Sequence, residues 1–152
     1  MSSYYSYYQK PQKARSQRIF GFYFAAFSAF VSIAAAIVYA VFYGQSQYFD
    51  GWAVALPLVG FALLLTLGNF KATAAFAPIV LFAVNFGALL VYVHAVYPYL
   101  GEAFYSGVTI EAIFNLSPAF VLTFLLYLIG CALSNASAWM PQRKTVMPRE
   151  YW

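Results

Sequence analysis

His94, Glu102 and Glu111, with Asn115 one helical turn beyond Glu111, are the residues of this chain best suited to chemistry. One imidazole and two carboxylates suit a hard cation, or a zinc-like ion if the histidine joins them, because those ions take oxygen and nitrogen donors. Asp50 adds a third acid in a neighbouring loop. The spacing matches no known ligand motif, so a solvated acidic rim is the favoured reading and the metal set His94, Glu102, Glu111 the secondary one.

Asn85 stands in the middle of an apolar run, and Pro78, Asn85 and Tyr92 are seven apart and share one helical face. A mid-membrane amide needs a partner. An interhelical hydrogen bond of about 0.6–2 kcal/mol is expected, with contact to a solute as the alternative. The single His94 and the single Cys131 lie at opposite membrane depths. That separation excludes a Cys–His pair within one chain, and one histidine cannot supply both axial ligands of a bis-histidine haem. No acid lies deep in an apolar run, whereas a proton relay would call for one there. No catalytic residue and no cofactor is expected.

These residues need elements to hold them, and composition names the class. Hydrophobic residues make up 64% of the chain and charged ones 8%, against about 25% charged in soluble domains. The chain is expected to be an all-α membrane protein, a four-transmembrane-helix antiparallel bundle. The spans are residues 19–43, 52–68, 72–97 and 111–133, each near the roughly 20 residues that cross a hydrocarbon core. A cleaved signal peptide is the alternative for the first run, which exceeds the usual 7–15 apolar residues of such a leader. Residues 1–18 form a basic, aromatic tail with the cluster Tyr4, Tyr5, Ser6, Tyr7, Tyr8, read as leaning on the interface. Residues 98–110 form an outer loop broken by Pro98, Gly101 and Gly107, and residues 134–152 a polar tail. Thr109 with Glu111 marks a helix start, and Pro118 a kink beyond it.

Charge orients the spans. Lys10, Lys13, Arg15, Arg18, Lys71, Arg143, Lys144 and Arg149 fall on one side, while Asp50, Glu102 and Glu111 fall on the other. Basic loops stay in the cytoplasm, so both termini are expected there, in the plasma (inner) membrane. Lys10, Lys13, Arg15 and Arg18 would meet anionic lipid headgroups. The net charge of +4 flanks apolar spans and forms no soluble basic patch, so nucleic acid is not an expected partner.

Ser28, Ser32, Ala36 and Ala40 recur every fourth position of the first span. Small rows let helix backbones approach closely. The expected use is packing on the chain's own helices, with a docking face for a partner subunit or a second copy as the alternative. The function expected from this inventory is that of a small non-enzymatic accessory or assembly subunit, working through helix packing. A channel or carrier for a small neutral or weakly polar solute, using Asn69, Asn85, Asn115 and Thr123, comes second, and a membrane enzyme third.

Overall fold

The structure is a computed structural model that describes residues 15–105 and 107–146, with residues 15–17, 145 and 146 described through their backbone only. The tyrosine cluster, Lys10, Lys13 and Arg149 lie outside the described residues, as does the side chain of Arg15. The elements in chain order are β1 (Arg15–Arg18), α1 (Phe20–Tyr43), α2 (Gly51–Asn69), α3 (Ala77–Ala103), α4 (Ile110–Phe114), α5 (Pro118–Ala138) and β2 (Arg143–Val146). Helices α1, α2, α3 and α5 are long and apolar enough to cross a membrane.

The first two spans start and stop where apolar runs meet turn residues. Asp50 caps α2 by accepting the Trp52 N–H at 2.8 Å, which satisfies an otherwise unpaired donor and sets a negative charge at the positive end of the helix. The other two spans differ from the sequence reading at both ends. Residues 71–76 are turns and not helix, and α3 begins with Pro78 in its first turn, where the missing N–H costs nothing. At its far end α3 runs through Pro98 to Ala103, so Glu102 sits on a helix and not in a loop. Pro98 deprives only the His94 carbonyl of its partner, and both residues are on the exposed side.

The helix expected to start at residue 111 is instead two helices. Thr109 does cap a helix, its hydroxyl accepting the Ala112 N–H at 3.1 Å, but that helix is the five-residue α4. Pro118 cannot continue the α4 hydrogen-bond ladder and opens α5 in its own first turn. It divides two helices where a kink was expected. The span then extends to Ala138, five residues beyond residue 133.

Helix α1 packs on α2 and α5, and α3 closes the ring against the same two helices. The close approaches show which ends meet. A Cβ added to Gly68 at the end of α2 would lie 2.6 Å from Phe22 Cε2 at the start of α1, and one on Gly130 of α5 would collide with Ser32 Oγ. At both crossings a side chain of α1 would have to shift to admit a Cβ, so the glycines let the helices approach closely. Two apolar cores result, one around Tyr39, Ala53, Tyr92 and Tyr127 and one around Phe22, Ala29, Leu64 and Leu81. Between 28% and 39% of the most apolar 18-residue stretch of each span is buried. The outward surface is apolar, with Phe20, Phe27, Phe30, Ile37 and Val41 exposed on α1 alone, as suits a lipid-facing surface and not one in water.

One element was not anticipated. The residues flanking the spans pair as a two-stranded antiparallel ribbon, with Arg18 opposite Arg143 and Arg15 opposite Val146.

Candidate functional site

Three buried tyrosines organise the end of the bundle that carries the acids. Tyr39, Tyr92 and Tyr127 are all 0% exposed, and their rings meet at 5.1 Å for Tyr39–Tyr92 and 5.4 Å for Tyr92–Tyr127. A buried phenol needs a partner for its hydroxyl. Tyr39 donates to the Tyr48 carbonyl at 2.6 Å and accepts the Asp50 N–H at 2.8 Å, which pins the α1–α2 loop. Tyr92 donates to the Phe120 carbonyl at 3.1 Å. Tyr127 donates to the Ala53 carbonyl at 2.7 Å. That carbonyl is free because Pro57, four residues on in α2, has no N–H to offer it. Tyr99 extends the set by accepting the Ser117 N–H at 2.8 Å, and Tyr48 donates to Glu102 Oε2 at 3.1 Å.

Asn85 lies one heptad before Tyr92 on α3, and Ser32 one heptad before Tyr39 on α1. Since Tyr39 and Tyr92 touch and both helices rise from the basic end, Asn85 and Ser32 share a level between the two apolar cores. Gly130 reaches the same level through its contact with Ser32. Asn85 is fully buried, and among the described residues neither its Nδ2 nor its Oδ1 has a hydrogen-bond partner. The expected interhelical hydrogen bond is not formed. Ser32 at the same level donates to the Ser28 carbonyl of its own helix at 3.2 Å.

The basic end is held by arginines. Arg143 Nη2 donates to the carbonyls of Gly68 at 2.6 Å and Asn69 at 2.9 Å, the last carbonyls of α2, where the helix dipole is negative. Arg18 donates to the Asn69 side-chain oxygen, and its guanidinium lies 4.3 Å above the Phe22 ring. Arg18, expected at a lipid headgroup, is exposed but also engaged with α2.

The remaining predicted residues fall apart as a site. His94, Glu102, Glu111 and Asn115 are all exposed, and among the described residues no three His, Cys, Asp or Glu side chains gather to hold a metal ion. His94 and Glu102 are eight residues apart on one helix, about 12 Å at 1.5 Å per residue. Glu102 faces Tyr48 instead. Ser28, Ser32 and Ala36 are buried within the chain, with Ala40 half-buried. Asn69 is taken by Arg18, and the Thr123 hydroxyl donates to Ala119 of its own helix at 2.8 Å.

The sequence reading singles out neither Tyr39 nor Tyr127, and it takes Arg143 only as a cytoplasmic charge and not as a donor to the end of α2. One signal was present: Pro57 strands the Ala53 carbonyl, which some side chain must reach, although nothing local says that Tyr127 is the one. Comparison with family models, with curated proteins and with solved structures gives no significant match, so the geometry alone carries the functional reading.

Proposed function

We propose that this chain is a non-enzymatic accessory or assembly subunit of a membrane complex, or a homo-oligomer, acting through helix packing. The observation that carries the reading is the use of the interior hydroxyls. Tyr39, Tyr92 and Tyr127 donate to backbone carbonyls of other elements, and Ser28, Ser32, Thr123 and Ser134 to carbonyls of their own helices, so these interior hydroxyls are engaged by backbone and none of them is paired with a side-chain base among the described residues. With the Ser28–Ala36 row occupied inside the chain, a partner would meet an outward row. The α1 row Phe20, Tyr23, Phe27, Phe30, Ala34, Ile37, Val41 has the alternating three- and four-residue spacing of a helix–helix seam. Extraction from native membranes in a gentle detergent, followed by mass determination, should give a multiple of 17.0 kDa or a second protein. A lone chain would sink the reading.

The orientation belongs to the same proposal: an antiparallel bundle in the plasma membrane with both termini cytoplasmic. Arg18, Arg143 and Lys71 at one end and Asp50, Glu102 and Glu111 at the other support it. In a Cys131→Ser background, Gln47→Cys should react with an impermeant thiol reagent in intact cells and Ala72→Cys should not. The reverse pattern inverts the protein.

One observation favours a second reading, passage of a small neutral solute. The unpaired amide of Asn85 is the kind of group that a solute with one donor and one acceptor would satisfy. Proteoliposomes should then take up urea or glycerol faster than empty vesicles, and Asn85→Leu should abolish the difference. Equal rates with and without the wild-type protein remove this reading and leave the first.

A further inference from the structure

The segment between α3 and α5 has the opposite character to a hydrated loop. Tyr105, Val108, Ile110, Ile113 and Phe114 are all exposed, Tyr105 by 93% and Phe114 by 83%, and α4 contributes no buried residue. On a helix Ile110, Ile113 and Phe114 share one side, at positions i, i+3 and i+4, while Glu111 and Asn115 share another, one turn apart. The segment is amphipathic, and among the described residues its apolar side stays uncovered, with Ile110 74% and Ile113 49% exposed.

Two features identify what covers that side. The segment leaves and rejoins the bundle at the end of the lipid-facing surface: α3 stops at Ala103, and the Ser117 N–H ahead of α5 is held by Tyr99 at 2.8 Å. Its apolar side is therefore continuous with a surface that already faces acyl chains. Trp52 in the first turn of α2 and Tyr97 near the end of α3 are exposed at the same end, 68% and 70%, as in the aromatic belts that mark the headgroup level. A short helix with a polar edge and an apolar edge lies along that level.

We propose that α4 lies in the interfacial layer of the bilayer at the acidic end, with Ile110, Ile113 and Phe114 among lipid chains and Glu111 and Asn115 toward water. The occupant of the apolar side is lipid. This goes beyond the assembly reading and does not depend on it, nor on which membrane face the acidic end occupies.

Nanodiscs, open on both faces, make the test independent of orientation. In a Cys131→Ser background, Phe114→Cys should react with an impermeant maleimide several-fold more slowly than Glu111→Cys, each rate taken relative to the same variant unfolded in dodecyl sulfate. Equal relative rates place the segment in water and overturn the proposal. A slow Phe114→Cys would also result if protein covered the site, so a second measurement separates the two. With Trp52, Trp139 and Trp152 changed to Phe, a Phe114→Trp probe should be quenched by lipids brominated on the acyl chain and only weakly by aqueous acrylamide. A probe shielded from acrylamide yet untouched by bromine would mean that another protein surface covers α4, and the lipid proposal would fall. Because Phe114 is exposed, both variants should keep the helical circular dichroism of the parent, which confirms that the comparison is made on folded protein.

Discussion

The two halves of this bundle use the same functional group in opposite ways. Toward the acidic end, the hydroxyls of Tyr39, Tyr92 and Tyr127 reach out of their own helices, Tyr39 to the loop that follows α1 and Tyr92 and Tyr127 to backbone carbonyls of other helices. Toward the basic end, the hydroxyls of Ser28, Ser32, Ser134 and Ser137 fold back on their own helices. A serine bonded to the preceding turn adds nothing across the interface. Its value is its size. One half is specified by directional bonds and the other by how closely α1 and α5 can approach, with Asn85 left between them and bonded to neither. A direct test is to add volume on one side and remove single hydroxyls on the other.

Gly130→Val should have the largest effect. The added Cβ would overlap Ser32 Oγ, so the serine must rotate or α1 and α5 must separate to admit the two further methyls, and overpacking of this kind costs about 1–3 kcal/mol. Reversible unfolding in mixed micelles would measure it. Ser32→Gly should recover part of the loss in the double variant, because the two sites share one contact. Loss of less than about 0.5 kcal/mol, the level of an ordinary surface change, would show that the crossing is not tight.

These two kinds of specification were not equally visible in the sequence. The ends of α1 and α2 could be read because a long apolar run stops at polar, turn-forming residues. The ends of α3 and α5 could not be read from hydropathy, which does not register where a hydrogen-bond ladder can begin. Pro78 and Pro118 carried that information: the sequence reading takes Pro78 only as sharing a face with Asn85 and Tyr92, which the burial of all three bears out, and Pro118 as a kink where it opens α5. The burial of Asn85 followed from its period of seven with Tyr92. Its missing partner did not, since that depends on where three other helices place their side chains. The Tyr127–Ala53 bond joins residues 74 apart, and no local pattern encodes such a pair. The acidic rim looked like a cluster because loops were assumed to bring its residues together. The extension of α3 through Glu102 holds His94 and Glu102 about two turns apart instead.

Tyr127→Phe should have the second effect, about 1–2 kcal/mol, because it leaves the Ala53 carbonyl buried without any donor. The comparison sharpens in a Pro57→Ala background. There residue 57 regains an N–H that can serve the Ala53 carbonyl, and removal of the Tyr127 hydroxyl should matter less. If the loss is the same in both backgrounds, the hydroxyl is not answering the proline, and the account of the acidic half needs another cause. Ser134→Ala provides the contrast from the basic half. Its hydroxyl bonds within α5, so its loss should be nearly silent.

Among the changes expected to be felt, the smallest concerns the basic end, where the serine half is closed by charge. Arg143→Gln keeps a donor but removes the charge that faces the negative end of α2, and a partly exposed helix-terminus interaction is worth about 0.3–1 kcal/mol. Lys144→Gln, one residue on and exposed, removes the same charge without touching a carbonyl of α2. Only the first change should speed amide exchange in the turn after Leu67, where Thr73 and Phe70 also bond the final carbonyls. The charge component should shrink with added salt while the hydrogen-bond component persists, since exposed charges are screened over about 8 Å at physiological ionic strength. If the two variants behave alike, the arginine acts only through net charge near the membrane. The ribbon between β1 and β2 would then be a consequence of closure at this end and not a contributor to it.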